Sequence, residues 1–283
     1  MNKNTYPFTI QAIKEYLADL AERECAAATI RKYSHDLNCL LEYFAGEPLT
    51  KTALINWKEH LTKTYAPASV NSMLAAANGF LMFMGWRELM VKPLKIQKTL
   101  FAEENRELSR AEYMRLVQAA ETGKNERLSL VLQTICSTGI RISELKFITA
   151  SAVKSGRAEV SNKGKLRIVF LPAKLCRLLK NYLQKQKRTT GPVFVTKTGN
   201  PLDRSNIWRD MKALCKSANV EPDKVFPHNL RHLFARTFYS IEKDISRLAD
   251  ILGHSNITTT RIYTMESGHI HIRQLNRMGL VTT

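Results

Sequence analysis

The stretch Leu252–Thr264 reads L-G-H-S-N-I-T-T-T-R-I-Y-T and decides how the second half of the chain is interpreted. Gly253 is predicted to end one helix, and Ser255 or Asn256 is predicted to cap the next one. A histidine therefore precedes the second helix, and a tyrosine lies near its end. These two side chains face one pocket only if the turn between the helices folds back, and this geometry is the first expectation for the structure.

Two other segments place polar groups at helix starts. In Thr138–Leu145, T-G-I-R-I-S-E-L, Gly139 interrupts an apolar helical pattern, Arg141 opens the next predicted helix and Glu144 lies one turn further on. The segment His228–His232, H-N-L-R-H, follows a proline and is also predicted to begin a helix. Its first histidine and its arginine share a face at i and i+3. Both segments offer a ligand for phosphate.

A short β-hairpin is predicted between these segments. The residues Asn162–Lys165 separate the apolar run Ala158–Val160 from the alternating run Leu166–Leu171. Polar, glycine-containing residues between two such runs are typical of a hairpin turn. The prediction places Lys163 at that turn.

Together these segments resemble the tyrosine recombinase, or phage integrase, family, and most of all its small two-domain members of the Xer and transposon-integrase types. The resemblance covers the four signature segments of the C-terminal domain. In the N-terminal half only the predicted helices match. None of the six family catalytic positions is substituted, and they are Arg141, Lys163, His228, Arg231, His254 and Tyr263.

A DNA phosphodiester resists attack because its non-bridging oxygens repel nucleophiles and its alkoxide is a poor leaving group. Arg141 and Arg231 offer permanently charged planar forks that can bind those oxygens and the charge that grows on them. Glu144 is expected either to hold the Arg141 guanidinium in place or to form an ordinary i,i+3 surface pair with it.

Tyr263 is the expected nucleophile, and its hydroxyl must lose a proton as it attacks. His228 is the candidate base, because the positive end of a helix dipole disfavours its charged form. The resemblance assigns to Lys163 the protonation of the departing 5′-oxygen. His254 is expected to hydrogen-bond the phosphate. The resemblance also implies a 3′-phosphotyrosyl intermediate, which stores the bond energy, so that no cofactor, metal ion or ATP is expected.

Three other interpretations use the same residues. His228 and His232 stand at i and i+4 like a zinc-binding pair, but no Glu follows the first histidine and an arginine lies between the two, so His232 is expected to pack or hydrogen-bond within the core. A type IB topoisomerase shares the chemistry of strand cleavage. A non-catalytic DNA-binding regulator would use the same basic helices without Tyr263, and a covalent protein–DNA adduct separates it from an enzyme.

Positive charge is concentrated in the second part of the chain. The 283 residues carry a formal net charge of +18. Residues 1–95 contain 11 basic and 9 acidic side chains, net +2, whereas residues 96–283 contain 32 and 16, net +16. Such an excess indicates a polyanionic partner, and we expect double-stranded DNA.

The cysteines and the apolar runs bear on location. Five cysteines without C-x-x-C spacing indicate neither a disulfide framework nor a zinc site, and they favour a reducing cytosol. The most apolar run, Met73–Trp86, is interrupted by Asn78 and Gly79 and is shorter than the about 20 residues that span a bilayer. The N-terminus lacks the apolar core of a signal peptide. A cytoplasmic protein without membrane contact is expected.

Four helices are predicted before residue 95: two between Thr9 and about Phe44, a third over about Thr50–Thr62 and a fourth over Pro67–Met84. Thr29 is predicted to cap the second helix. By the resemblance, this small bundle corresponds to a SAM-like core-binding domain. Polar residues of the bundle and of the basic segment after it are expected to contact DNA or to be solvated, and they are Arg31, Lys32, Asn71, Lys92, Lys95 and Lys98.

The domain boundary is predicted where helical periodicity lapses and lysines gather around a proline. The N-terminal domain then covers residues 1–95, the linker 96–108 and the catalytic domain 109–283, which opens with a capping box at Ser109 and Glu112. Helices of this domain are predicted from that box to Ala120 and over Arg127–Ser137, Arg141–Phe147, Ala173–Lys187, Asp203–Ala218, His228–Ser240, Ile245–Leu252 and Asn256–Thr264. The hairpin and a further strand over Val193–Val195 complete a mainly α chain with one small antiparallel β-sheet.

Assembly follows from the number of strands that must be cut. One such site cuts one strand, so exchange between two duplexes requires four copies, and a homo-tetramer on DNA is expected from the family. The tail 266–283 carries an apolar stripe that is too short to form a core, made of Ile270, Ile272, Leu275, Met278 and Leu280. The tail is expected to fold back on its own domain or to dock into a neighbouring subunit, as in related recombinases. Integration, excision, inversion and dimer resolution all remain open.

Overall fold

The computed structural model describes residues 6–96, 106–162, 165–254, 256–263 and 276–279. The chain divides into two compact units, residues 1–98 and 99–283. Most of the predicted linker, 96–108, lies outside the described residues, and the three predicted domain bounds stay predictions. None of the helices in the described ranges is long and apolar enough to cross a membrane.

Four helices build the N-terminal unit, as predicted: α1 (Ile10–Glu22), α2 (Ala27–Phe44), α3 (Lys51–Thr64) and α4 (Pro67–Phe83), followed by a 3-10 turn at Arg87–Leu89. α1 and α3 begin at threonines whose side chains accept hydrogen bonds from the first turn. The predicted cap at Thr29 is wrong, since α2 begins after Ala26 and Thr29 lies inside it. Ala27 and Ala28 favour the helix strongly enough to start it without a polar cap.

Apolar side chains from all four helices form the core of this unit. Ile13 of α1, Leu37 of α2, Trp57 of α3 and Phe80 of α4 are buried together. Within each helix the apolar residues recur every three or four positions, so they lie on one face. Burying one such side chain contributes about 1.5–3 kcal/mol to folding.

Two asparagines of α4 hold the chain segment 91–95, which we call the strap. Asn78 Nδ2 donates to the Val91 carbonyl (2.8 Å) while its Oδ1 accepts from the Val91 N–H (2.9 Å). Asn71 makes the same two bonds with Leu94, at 2.9 and 2.7 Å. The amide of Asn71 is therefore engaged within the unit, which argues against the DNA contact considered for it.

The second unit is mostly helical with one hairpin, as predicted. Its elements are α5 (Arg110–Thr122), α6 (Glu126–Thr138), a 3-10 helix (Ile142–Phe147), α7 (Ala150–Ser155), β1 (Arg157–Asn162), β2 (Lys165–Phe170), α8 (Ala173–Lys185), α9 (Arg204–Ala218), a 3-10 turn (Pro222–Lys224), α10 (Pro227–Glu242), α11 (Ile245–Leu252) and α12 (Ile257–Arg261). The capping box is confirmed, because Ser109 Oγ accepts from the Glu112 N–H (3.2 Å) and Glu112 Oε2 accepts from the Ser109 N–H (2.8 Å). α10 packs against α6, which also packs against α5.

The helix predicted over Arg141–Phe147 is a 3-10 helix that begins at Ile142. Arg141 stays extended, because its N–H donates to the Glu144 carboxylate (2.8 Å) and its carbonyl accepts from the Glu144 N–H (2.8 Å). This tight turn replaces the i to i−4 bonds of an α-helix. The short helix α7 was not predicted, since six residues are too few to show a helical period.

Within the described residues the only sheet is the hairpin, in which β1 pairs antiparallel with β2 over its full length. The predicted strand Val193–Val195 is wrong. That segment forms only isolated bridges, which involve Pro192 and Pro201. Proline has no N–H to donate, so a ladder does not extend through either bridge.

Candidate active site

Arg231 of α10 lies at the centre of a polar cluster with only 2% of its surface exposed. Its guanidinium donates to the carbonyl of Gly139 and, at 2.8 Å, to that of Leu252, and Nη2 lies 3.0 Å from Nε2 of His254. It thus joins the ends of α6 and α11. Burial and the neighbouring Arg141 lower the pKa of Arg231 to about 10, so the group remains charged at neutral pH.

Gly139 is required for this arrangement. It ends α6 with φ +66°, a left-handed conformation that glycine adopts readily. A Cβ at this position would lie 2.4 Å from Cδ1 of Phe234 and 3.0 Å from Cδ2 of Leu252. A side chain would therefore push α6 away from α10 and move the carbonyl that Arg231 binds.

The turn between α11 and α12 folds back, as the sequence analysis required. The rings of His254 and Tyr263 stack with their centroids 6.0 Å apart and an interplanar angle of 18°. Gly253 ends α11 with φ +66°, and Asn256 caps α12. α12 ends at Arg261, earlier than predicted, and a tighter turn follows in which the Tyr263 N–H donates to the Thr260 carbonyl (3.0 Å) and Tyr263 is only 3% exposed.

His254 is held in one tautomer. A guanidinium can only donate, so Nε2 of His254 accepts from Arg231 and the ring proton lies on Nδ1. Nδ1 is 2.8 Å from Oγ1 of Thr260, which is buried in α12. Burial, Arg231 and Arg141 lower the pKa of His254 to about 4. The ring is therefore neutral at pH 7 and connects the guanidinium to the helix before Tyr263.

His232, rather than His228, is the α10 imidazole in contact with Tyr263. The His232 ring meets Tyr263 edge to face at 4.6 Å between centroids and meets His228 at 4.5 Å. Burial of the His228 ring and the nearby Arg231 and Arg141 lower the pKa of His228. Burial and His228 lower that of His232 to about 4. Both rings are available as proton acceptors, and the expectation that His232 packs in the core is incomplete.

Glu144 is completely buried and binds two arginines. Its Oε1 accepts from Arg141 Nη1 (3.1 Å), and both its oxygens accept from Arg167 of β2 (2.8 Å each). The simple surface pair considered for Glu144 and Arg141 is therefore wrong, since the carboxylate lies inside the fold. The sequence did not reveal Arg167, because the apolar alternation of Leu166, Ile168 and Phe170 suggests that these residues face inward, whereas all three are exposed and Arg167 shares the buried face with Val169.

Arg141, His228 and Arg231 line one side of a cleft of about 680 Å³. Three residues of α9, at i, i+4 and i+8, line the other: Arg204, Trp208 and Lys212. Trp208 is 48% exposed, and Lys212 Nζ lies over its ring, 5.4 Å from the centroid. No local pattern in the sequence distinguishes this stripe, because a helix surface of this composition also suits plain solvation.

The remaining predicted site residues lie outside the cluster. Lys163 and Lys98 fall outside the described residues. Arg31, Lys32, Lys92 and Lys95 are exposed on the N-terminal unit, where Lys32 pairs with the buried Asp36. The described ranges contain no group of three His, Cys, Asp or Glu side chains that could hold a metal ion.

Comparison with known proteins identifies the family of each unit. The phage integrase family profile matches residues 106–269, and the profile of the phage integrase N-terminal SAM-like domain matches residues 13–88. The tyrosine recombinase XerA of Thermococcus onnurineus is 30% identical over 90% of each chain. The tyrosine recombinase XerD of Xanthomonas campestris pv. campestris is 29% identical, covering 90% of this chain and 87% of that protein.

Solved structures share the fold. A lambda integrase (75–356) dimer bound to a COC′ core site superposes with a TM-score of 0.75 at 18% identity, covering 92% of this chain and 96% of that one. The XerH recombinase bound to difH substrate, in a pre-cleavage complex, gives 0.69 at 19% identity, covering 94% and 88%.

Fold and site together define an enzyme of the tyrosine recombinase class, which cleaves and rejoins DNA strands in site-specific recombination. The chain belongs to the phage integrase family, with that family's SAM-like domain at its N-terminus.

Proposed function

We propose that Tyr263 is the nucleophile of this recombinase. Its oxygen attacks the scissile phosphorus, the bond to the 5′-oxygen breaks, and a 3′-phosphotyrosyl link and a free 5′-hydroxyl result. The observation that carries the proposal is the continuous contact from Arg231 through His254 to Tyr263. Arg231 Nη2 lies 3.0 Å from His254 Nε2, and the rings of His254 and Tyr263 stack with their centroids 6.0 Å apart. Because Tyr263 is 3% exposed, its hydroxyl must become accessible when DNA binds.

Arg141 and Arg231 bind the phosphate in this proposal. The Arg141 side chain is 35% exposed and lines the cleft, so part of its guanidinium can reach a non-bridging oxygen. Arg231 contributes positive charge from a buried position, where the weaker screening strengthens its effect on the transition state. Glu144 orients Arg141, and His254 supports Arg231 and adds a polar contact near the phosphate.

An α10 imidazole takes the tyrosine proton. His228 is the proposed base, because burial and the nearby Arg231 and Arg141 lower its pKa and so keep the ring neutral at pH 7, able to accept a proton. His232 is the alternative, because it is the ring that contacts Tyr263. Separate His228→Asn and His232→Asn variants distinguish them, since loss of the base removes the acidic limb of the pH–rate profile, over which the rate rises as the base loses its proton, whereas loss of a packing ring lowers the rate equally at all pH values.

Lys163 is proposed as the acid that protonates the departing 5′-oxygen. Its position in the sequence, between β1 and β2, corresponds to that of the family's catalytic lysine. A 5′-bridging phosphorothiolate tests it, because sulfur leaves without a proton. This substrate should rescue Lys163→Ala and not Arg141→Ala. Equal failure of both variants would remove Lys163 from the role.

Double-stranded DNA is the proposed substrate, and both units contact it. The α9 stripe of Arg204, Trp208 and Lys212 borders the cleft, where its cations and exposed indole suit a phosphate backbone and adjacent groups. On the N-terminal unit the exposed candidates are Arg31, Lys92 and Lys95. Lys32 is also a candidate but forms an ion pair with Asp36, and Lys98 is a candidate from the sequence alone.

Four subunits assemble on the DNA in this proposal, and strands are exchanged in two steps through a four-way junction. A lambda integrase tetramer bound to a Holliday junction has the same fold, with a TM-score of 0.73 at 18% identity. The tail 266–283 is proposed to link neighbours, although most of it lies outside the described residues. Truncation after Met265 should leave binding to a single site and abolish cooperative binding.

The biological outcome is integration, excision, inversion or resolution of dimers of a DNA element, and we place the protein in the cytoplasm. All five cysteines are free, in agreement with a reducing compartment: Cys25, Cys39, Cys136, Cys176 and Cys215. Sequencing recombination junctions formed in cells identifies the outcome and the target site.

A suicide substrate tests the central proposal. A nick near the cleavage site lets the 5′-end diffuse away and traps the covalent adduct on Tyr263. A recombinase forms the adduct and yields recombinant duplexes. A topoisomerase-like enzyme forms the adduct but only relaxes supercoils, and a non-catalytic regulator forms no adduct.

A further inference from the structure

Arg167 forms a two-point ion pair with Glu144, and no step of the proposed reaction involves Arg167. Nη1 binds Oε1 of Glu144 and Nη2 binds Oε2, both at 2.8 Å, so the guanidinium and the carboxylate meet in parallel. The Arg167 side chain is 13% exposed and that of Glu144 is 1% exposed. Two such groups are ordered much more strongly than a pair at the surface.

The same carboxylate holds Arg141 at two points. Oε1 accepts from Nη1 of Arg141 (3.1 Å), and Oε2 accepts from the Arg141 backbone N–H (2.8 Å). Both oxygens of Glu144 therefore receive one bond from Arg167 and one from Arg141. Rotation of the carboxylate would break bonds to both arginines, so the position of Arg141 depends on Arg167.

Arg167 also lies against the turn that precedes His254. A Cβ on Gly253 would lie 2.7 Å from Cδ of Arg167 and 3.1 Å from its Nε, so the backbone of this turn lies directly on the side chain. The side chain thus connects three elements: β2, the 3-10 helix with Glu144 and the end of α11.

We propose that Arg167 is a positioning residue for phosphate binding: through Glu144 it directs the guanidinium of Arg141 into the cleft. The inference rests on the proposed role of Arg141 in binding a non-bridging oxygen. Arg167 itself does not touch the phosphate. The competing explanation is that Arg167 merely neutralises a buried carboxylate and so maintains the fold.

Methylphosphonate DNA separates these explanations. Replacing one charged non-bridging oxygen by a methyl group removes the charge that a second guanidinium must neutralise, so Arg141→Ala should lose about 100-fold in cleavage of normal DNA and much less on this substrate. If Arg167 acts through Arg141, Arg167→Met should lose about 10-fold or more on normal DNA and recover on methylphosphonate DNA in the same way. Combining the two variants should add nothing further.

Two further variants control for folding. Glu144→Gln with Arg167→Met removes both charges of the buried pair, so neither partner is left alone in the core, and this double variant should fold yet stay defective on normal DNA. Arg127→Met removes another partly buried arginine, whose Nη1 donates to the Val195 carbonyl (3.0 Å), and should cleave both substrates like the wild type. Thermal unfolding and DNA binding are measured for every variant.

Three results would overturn the inference: equal loss by Arg167→Met on both substrates, wild-type cleavage by the double variant, or additive losses of the Arg141 and Arg167 variants. Failure of the proposed function has a different signature, because the wild-type protein would then form no covalent adduct with either DNA.

Discussion

The strap of the N-terminal unit and the arginine cluster of the second unit use buried polar groups in opposite ways. Each asparagine of α4 gives one bond to a backbone carbonyl and takes one from a backbone N–H of the strap. Donors and acceptors balance, and both groups are neutral. Around Arg231, in contrast, Arg141 and Arg167 share the single carboxylate of Glu144. Positive charge exceeds negative charge at this point.

The difference distinguishes polar groups that stabilise the fold from polar groups that are available to a ligand. A neutral and fully paired network stabilises a chain segment and has no further use for a ligand. A buried cluster with excess positive charge is costly unless an anion completes it. Burial, and after it the neighbouring positive charges, lower the pKa values of His232 and His254 in this cluster. The comparison therefore predicts that changes in the cluster affect chemistry, and that changes in the strap affect stability.

The largest expected effect is on chemistry alone. Tyr263→Phe keeps the ring between His232 and His254 but removes the attacking oxygen, so covalent adduct on a suicide substrate should fall below detection. DNA affinity should stay within about threefold, because the phosphate ligands are unchanged. A gel assay for the adduct and a binding titration check this. Adduct formation by the variant would show that another residue is the nucleophile.

Arg231→Lys should affect chemistry and stability together. An ammonium cannot bind the Gly139 and Leu252 carbonyls and His254 in the same planar geometry. Cleavage should fall by about 10²–10³-fold, which corresponds to about 2.7–4 kcal/mol in the transition state. Single-turnover kinetics measure it. Arg127→Lys serves as the matched control, and a near wild-type rate for Arg231→Lys would contradict the proposed role.

Acid should destabilise the second unit before the strap. The folded pKa values of His232 and His254 are about 4, below the ordinary value near 6.5. Between those pH values the unfolded chain binds more protons, so stability is complete above about pH 6.5 and falls as the pH drops towards 4. Amide exchange should accelerate in α10 and α11 over this range and remain steady in α4. His232→Asn should weaken the pH dependence, and an unchanged profile would argue against this origin.

The smallest effect on chemistry is expected in the strap. Asn78→Ala leaves the Val91 N–H and carbonyl without their partner, which should lower the free energy of unfolding by about 1–3 kcal/mol. Cleavage by the folded, DNA-bound protein should change less than about twofold. Urea unfolding and single-turnover cleavage measure the two effects. Gln11→Ala, which removes an exposed amide of α1, is the control and should change neither the free energy of unfolding nor the cleavage rate.

Much of the second unit could be predicted from local signals. Ser109 with Glu112, Gly253 before Asn256, and the alternation in β2 each act within a few residues, so the sequence reveals them. The errors arose where distant contacts prevail. Glu144 binds the backbone of Arg141, so that the helix predicted from Arg141 is a 3-10 helix beginning at Ile142, and prolines stand at the isolated bridges where a strand was predicted over Val193–Val195.

By itself, the sequence determined the helical class, the family and the identity of the catalytic candidates, because these depend on spacing and residue type. Only the tertiary structure decided how they meet. It brought His232 rather than His228 against Tyr263, joined Arg167 to Glu144 across 23 positions, and used Asn71 to hold the strap. Such contacts depend on the packing of elements that are distant in the chain. A local sequence pattern therefore does not show which of two neighbouring side chains, such as His228 and His232, will contact a distant one such as Tyr263.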